Sequence, residues 1–325
     1  MQLSRLVPVV QQFPKQGLSD VTAATRAELS LKAVGTHLKP GRPIALGVGS
    51  RGIANLSAIV RATVEHFRSL RLEPFIVPAM GSHGGGTAEG QQRILAQYGI
   101  TEAEVGCPVR SSLETVMLGR CTAGFETYLD RQAFESEGIF LINRVKWHTT
   151  FEAPIESGLM KMLSIGLGKL EGAGSYHQQA VRLGFGTVIG SAARHILQTG
   201  KVLGGLAILE DAHHDTAKLV ALPAATMEPD EEALLKVVQS WMARILFDEV
   251  DVLIVDEIGK HISGVGMDSK VINRHPYGGV NPWPWAPRIM DLRPRHSFPV
   301  LRERGWHRYG RRDFGLSNEP DRCDS

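Results

Sequence analysis

Three segments, each following an aliphatic run, hold most of the side chains in this chain that could do chemistry. The first is Gly47–Asn55, GVGSRGIAN. Glycines and a serine that end a strand and open a helix form a natural anion site. Their free N–H groups and the helix dipole both favour negative charge. Ser50 sits in that turn, and Arg51 adds a forked cation suited to carboxylate or phosphate. The alternative reading is a tight turn with a solvated arginine. The second segment is Pro78–Thr87, PAMGSHGGGT, where four glycines surround His83. Glycine at this density signals backbone freedom or close approach of a ligand. Two such loops after neighbouring strands imply one shared crevice, with His83 in it. Neither loop has the G-x-G-x-x-G spacing with a later ribose-binding acid, so a dinucleotide fingerprint is not supported.

The third segment starts at Asn143-Arg144-Val145-Lys146-Trp147-His148, the polar end of another aliphatic run. It continues through Gly158–Lys169, GLMKMLSIGLGK, to His177. Lys161 is the one charge in that apolar stretch before Lys169. A desolvated lysine there becomes nucleophilic. The alternative is a surface lysine that reaches water along its stem. His148 and His177 are candidate metal ligands or acid–base groups. No HExxH or other firm metal spacing is present. Further along, Asp256–Asn273 supplies Lys260, His261, Asp268 and Lys270 after another aliphatic run. His195, His213 and His214 lie away from the glycine loops and read as structural.

These residues need strands that end beside one another. Short aliphatic runs predict strands at Ile44–Val48, Phe75–Val77, Ile139–Ile142, Val202–Leu209 and Val250–Val255. Between the first two, Leu56, Ile59, Val60, Val64, Phe67 and Leu70 recur at helical spacing, with Asn55 placed to cap them. A helix is also predicted over Ala88–Tyr98, and another after Pro229-Asp230. Strand–helix–strand order gives an α/β fold with a parallel, Rossmann-like sheet. The Ala/Pro-rich stretch Ala221–Pro229 marks the expected boundary between an N-terminal domain, 1–228, and a second, shortened α/β domain, 229–325. Asn281–Pro287, NPWPWAP, predicts a rigid extended segment. Eight arginines and no lysine follow Asp291, and hydrophobic periodicity is lost there.

Composition narrows the function classes. The 325 residues carry a net charge of +2, which argues against a dedicated nucleic-acid binder. At 43% hydrophobic and 22% charged the chain is too apolar for disorder. The three cysteines, Cys107, Cys121 and Cys323, are odd in number and form no C-x-x-C pair. That excludes a disulfide framework and a thiolate zinc site, and it fits a cytoplasmic protein. No apolar run approaches the ~18 residues that span a bilayer, so no membrane association is expected.

Together these motifs resemble the nickel-dependent lactate racemase family and its 2-hydroxy acid racemase and epimerase homologues, from about Ile44 to about Asn273. His148 matches the family's catalytic histidine at a strand end. Lys161 matches the lysine that the family joins covalently to its cofactor, and His177, sixteen residues on, matches the nickel ligand. Ser50-Arg51-Gly52 stands for the family's Thr-Arg-Pro motif, Met80–Gly84 for its Thr-Gly-x-His-Arg loop, and Gly259–Ser263 for its Gly-x-Pro-Lys-Asp segment. Ser157–Met160 replaces the usual double glycine. Arg110 stands where a second catalytic histidine is expected, and only Lys270 survives of a Tyr-Gln-x-x-Lys motif. The resemblance implies a nickel-pincer nucleotide, a pyridinium mononucleotide whose two thioacid arms grip nickel. It further implies a small 2-hydroxy acid substrate and partner proteins that assemble the cofactor. Lys161, Ser50, Arg51 and His83 would contact the cofactor, His177 the metal, and Arg110 and Lys270 the substrate. His148 would take the hydroxyl proton while hydride leaves C2. Two other readings stand beside this one: a homologue that binds nucleotide or metal without catalysis, and a metal-assisted hydrolase or lyase.

Overall fold

A computed structural model of the chain describes residues 7–49, 52–259, 262–263, 265–276 and 279–297. They fall into two compact units, of which the larger is Pro14–Met242. In chain order this unit contains α1 (Val21–Leu31), β1 (Pro43–Val48), α2 (Leu56–Ser69), β2 (Glu73–Pro78) and α3 (Ala88–Gln97). The short α4 (Glu102–Val105), the strands β3 (Thr115–Arg120) and β4 (Glu126–Asp130), and α5 (Arg131–Glu135) follow. Then come β5 (Gly138–Arg144), α6 (Leu159–Lys161), a π-helical turn at Met162–Gly166, α7 (Lys169–Leu183) and α8 (Phe185–Leu197). The unit closes with β6 (Val202–Glu210), β7 (Thr216–Pro223) and α9 (Met227–Trp241).

The central sheet has the order β2-β1-β5-β6-β7. Its first four strands are parallel, and β7 runs antiparallel to β6. Parallel strands are covered on both faces, which is why they read as unbroken aliphatic runs. Ile44, Leu46, Val48, Ile76, Phe140 and Ile142 are fully buried. Helix α2 lays Ile59, Val60, Val64 and Phe67 into the same core. The fold is therefore α/β with a parallel-sheet core. The chain leaves β1 on one side for β2 and returns on the other for β5. That reversal puts the topological switch point, the usual ligand position in such sheets, at the carboxyl ends of β1 and β5. The hairpin of β3 and β4 forms a separate two-stranded sheet.

The second unit contains β8 (Glu249–Ile258) and β9 (Arg288–Ser297), paired in parallel. Three sequence expectations change here. The stretch expected as a domain boundary at 228/229 is packed structure: Ala221 and Leu222 end β7, and Met227 is fully buried. Helix α9 then buries Leu234, Leu235 and Val238 within the larger unit, whose last residue is Met242. Asn281–Pro287 is folded back rather than extended. Trp283 is buried, the Ala286 N–H donates to its carbonyl at 3.1 Å, and the Asn273 side chain accepts its N–H at 3.0 Å. The start of the arginine-rich segment is strand β9, where Arg293 pairs with Asp291 at 2.8 Å and Arg295 with Asp256 at 3.0 Å. No helix among the described residues is long and apolar enough to cross a membrane. Cys107 and Cys121 are buried free thiols, and burial pushes the Cys107 thiol up to about 11.

Candidate active site

The segment after β1 leads from the switch point to α2. Ser50 and Arg51 lie outside the described residues. The segment's far end is tied down: the Ala54 N–H donates to Glu210 Oε1 at 2.9 Å, and Thr216 Oγ1 donates to the Ala54 carbonyl at 3.1 Å. Asn55 precedes α2 in a left-handed conformation and makes no capping hydrogen bond; its amide donates to Thr216 Oγ1 instead. Glu210, at the end of β6, also takes the Arg144 guanidinium. Burial alone would raise the Glu210 carboxyl, but hydrogen bonding to His214 and the charge of Arg144 hold it below the ordinary range.

The loop after β2 is glycine-rich. Gly84, Gly85 and Gly86 all take positive φ, between 67° and 71°. A Cβ on Gly90 would stand 1.8 Å from the Gly84 carbonyl oxygen. Most of the glycine is therefore needed to fold this loop back on the start of α3, where Thr87 Oγ1 accepts the Gly90 N–H at 3.0 Å. The buried Gln91 amide holds the loop through the Gly81 carbonyl at 2.7 Å, and His83 is exposed. The Gly81 N–H donates to the Gly166 carbonyl at 3.0 Å, which joins this loop to the π-helical turn. Arg110 lies beyond the outer edge of β2, its N–H on the Ile76 carbonyl and its guanidinium 4.1 Å from the Phe75 ring centre. Two strand spacings, roughly 10 Å, separate β2 from β5 and the residues that follow it.

The third segment supplies the centre of the site. Asn143, the penultimate residue of β5, donates to the Gly158 carbonyl at 3.2 Å. A Cβ on Gly49 would stand 2.6 Å from Asn143 Oδ1, so the β1 and β5 ends meet closely. The chain runs out from β5 and back again, with the Lys146 N–H on the Ser157 carbonyl at 2.9 Å. The buried Glu156 carboxylate accepts the His148 N–H at 2.5 Å and fixes the far end of this excursion. His148 Nδ1 accepts the Thr150 N–H at 3.2 Å and lies 3.0 Å from Thr150 Oγ1. With Nδ1 accepting, the neutral ring carries its proton on Nε2.

His177, on α7, is exposed, and its Nδ1 lies 2.5 Å from the Ala173 carbonyl oxygen. A carbonyl can only accept, so Nδ1 donates and the Nε2 lone pair is left available. The two histidines are linked through two phenyl rings that stand between them. His148 stacks on Phe151 with ring centres 4.3 Å apart, Phe151 stacks on Phe185 at 5.5 Å, and Phe185 meets the His177 ring edge-on at 5.4 Å. Lys161 is half-buried at the end of α6, which packs on α8, the helix that Phe185 opens. The structure thus places His148 and His177 at opposite ends of one chain of ring contacts. Lys270 belongs to the second unit, where it is buried. Lys260 and His261 lie outside the described residues. Among the described residues, no three His, Cys, Asp or Glu side chains lie close enough together to hold a metal ion.

Sequence reasoning missed two charged side chains. Lys169 is fully buried with φ of 54°, a strained value for a residue with a side chain. Its ammonium pairs with Asp130 at 3.1 Å and donates to the Pro78 carbonyl at 2.6 Å, linking the start of α7 to the end of β2. Burial lowers its proton affinity. Glu231, on α9, accepts the N–H groups of Leu159 and Met160. Nothing local in the sequence marks either as buried. A cavity of about 470 Å³ lies away from this cluster, among Thr22, Asn55, Ser57, Arg61, Glu65 and Tyr98. Its arginine and glutamate are already paired, Arg61 with Glu104 and Glu65 with Arg26.

No family model matches the sequence, and no curated protein matches it. A solved structure does match. The chain shares its fold with the lactate racemase apoprotein from Thermoanaerobacterium thermosaccharolyticum. The TM-score is 0.51 at 12% identity, over 77% of this chain. The match covers 64% of that protein, so this chain corresponds to under two thirds of its length. A likeness at this identity speaks to the fold alone. It accords with the parallel-sheet architecture described above.

Proposed function

We propose that this chain is a racemase or epimerase of a small 2-hydroxy acid, working with a nickel-pincer nucleotide. The observation that carries the reading is the chain of ring contacts His148–Phe151–Phe185–His177 after the β5 end, with the nitrogens of the two histidines partnered differently. His177 spends its Nδ1 proton on a backbone carbonyl, the arrangement typical of a metal-ligating histidine. Its Nε2 would be the protein's donor to nickel. A metal gripped by the cofactor's own sulfur arms needs only one such donor, so the lack of a three-donor cluster among the described residues fits this group. The same lack lends less support to a metal-assisted hydrolase, which needs about three protein ligands. Soft sulfur with one imidazole suits nickel.

Lys161 would hold the cofactor covalently. The turn carrying Ser50 and Arg51, with the His83 loop, would face its phosphate. The chemistry such a group supplies when bound is reversible acceptance of hydride from C2. His148 would manage the proton on the substrate hydroxyl. Delivering a proton from Nε2 to a 2-oxo oxygen requires the imidazolium, since a neutral ring that gave it up would be left as an imidazolate. Taking a proton there requires the other tautomer, and Thr150 Oγ1, which can accept as well as donate, keeps Nδ1 partnered in that state. Stacked aromatic rings beside His148 limit water around the reacting oxygen. Proteins that assemble the cofactor are required partners.

The test uses the full chain expressed alongside cofactor-making enzymes and offered single enantiomers of a panel of 2-hydroxy acids. Chiral chromatography should show the opposite enantiomer forming with at least one of them. Lys161→Arg keeps the positive charge and removes the attachment nitrogen. It should reduce conversion to the background rate. No conversion across the panel would favour a non-catalytic homologue, and full activity in Lys161→Arg would remove the role given to that lysine.

A further inference from the structure

We propose that Glu231 is a positioning residue for the Lys161 turn, the side chain from α9 that sets where the lysine's short helix begins. The functional weight of that turn rests on the attachment role proposed for Lys161. Glu231 is 1% exposed. Its Oε2 accepts the Leu159 N–H at 2.6 Å and the Met160 N–H at 3.1 Å. These are two of the amides that a helix start leaves without a partner, and Lys161 is the next residue. Gly158 makes no capping hydrogen bond, and a Cβ there would stand 2.5 Å from the Glu231 carboxyl carbon. Glycine at 158 is thus what lets the carboxylate reach the amides.

The other oxygen, Oε1, is buried with no hydrogen-bond partner among the described residues. An unpaired buried oxygen costs stability, and an apolar side chain would suit the core better. Holding the two amides is what an apolar side chain could not do. The consequences extend beyond Lys161. The π-helical turn follows directly, with the Leu167 N–H on the Met162 carbonyl at 2.8 Å, and Gly166 takes the Gly81 N–H from the His83 loop. One carboxylate therefore sets the start of a chain of contacts that runs from the lysine to the His83 loop.

Burial pushes the Glu231 carboxyl up to about 7, against the pull of the two amides. Glu228, on the same helix, raises it further, and Arg194 of α8 pairs with Glu228 at 2.5 Å. The other charged groups on elements packed against α9 are Lys161 on α6, Glu210 of β6 paired with Arg144, and Lys218 of β7. The folded value lies above the ordinary 4.5. Its contribution to stability is therefore full below about pH 4.5 and is lost as pH rises through about 7.

The experiment compares wild type, Glu231→Gln and Glu231→Leu as full chains, first by amide hydrogen exchange at Leu159 and Met160. Glutamine keeps the acceptor oxygen and leucine does not. Protection at the two amides should fall at least about tenfold in Glu231→Leu and be largely restored in Glu231→Gln, with β6 and α7 protected as before. Urea unfolding adds the pH readout. From about pH 5 to about pH 8 the wild-type folding equilibrium should weaken on the order of a hundredfold from this group, and the glutamine variant should not show that step. Unchanged protection in Glu231→Leu, or protection lost evenly across the unit, would overturn the proposal. With cofactor-making enzymes present, the leucine variant should also lose the Lys161 adduct and the glutamine variant keep it. If wild type carries no adduct, the function reading fails, and the amide exchange alone decides for or against Glu231.

Discussion

Lys169→Met is expected to cost the larger unit about 3–5 kcal/mol, the loss typical of breaking a buried ion pair by removing one partner. Both side chains of the Lys169–Asp130 pair are withdrawn from water, at 0% and 1% exposure. Methionine fills similar volume but leaves the Asp130 carboxylate buried beside apolar atoms, and it deprives the Pro78 carbonyl of its donor. For a unit of this size the loss corresponds to a drop in Tm on the order of 10 °C. Asp130 Oδ1 also accepts the Ala133 N–H at 2.8 Å, so a carboxylate-to-amide change keeps that cap. Lys169→Met combined with Asp130→Asn should recover much of the loss, because the uncompensated charge is gone. Thermal and urea unfolding of the three variants measure this. A loss under about 1 kcal/mol in the single variant would mean that the pair is more hydrated than its burial indicates.

His148→Ala is expected to slow enantiomer interconversion by about 10²–10⁴, the usual contribution of a positioned acid–base side chain. Nickel content and the state of Lys161 should stay as in wild type. His177→Ala should do the reverse: nickel is lost while the covalent attachment remains. The contrast follows from the ring nitrogens. His148 Nδ1 is engaged as an acceptor with Thr150, and His177 Nδ1 as a donor with Ala173. Kinetics, metal analysis and intact mass on the same preparations separate the two roles. If His148→Ala lost nickel and His177→Ala did not, the two assignments would have to be exchanged.

The parallel strands were legible because burial on both faces makes them continuous apolar runs. Ile44–Val48 and Ile139–Ile142 lie within β1 and β5, whose ends mark the switch point. The helix at Ala88–Tyr98 was legible because Thr87 and Gly99 bracket it, and α3 ends one residue earlier. The glycine loops were legible as loops, but their glycine serves mainly to fold backbone against backbone, as at Gly84 and Gly90. The link between His148 and His177 could not be read from spacing, since it runs through Phe151 and Phe185, whose two rings stack between them. Lys169 and Glu231 were illegible for a related reason. Whether a charge is buried is decided by partners remote in sequence, here Asp130 for the lysine and the α6 amides for the glutamate. The boundary at Ala221–Pro229 misled because alanine and proline there end a buried strand and lead into a packed helix. In the second unit, β9 was hidden because its buried residues, Ile289 and Leu292, stand three apart rather than two, among Arg288, Arg293 and Arg295.

The central claim is that Lys161 carries the nickel-pincer nucleotide. The most direct measurement is intact mass with peptide mapping of the full chain, made in cells that also express the cofactor-making enzymes. A lactate racemase made in the same cells serves as the control. The expected result is a single adduct on the Lys161 peptide, absent in Lys161→Arg, with nickel bound in proportion and lost in His177→Ala. An unmodified Lys161 peptide beside a fully modified control protein would contradict the account.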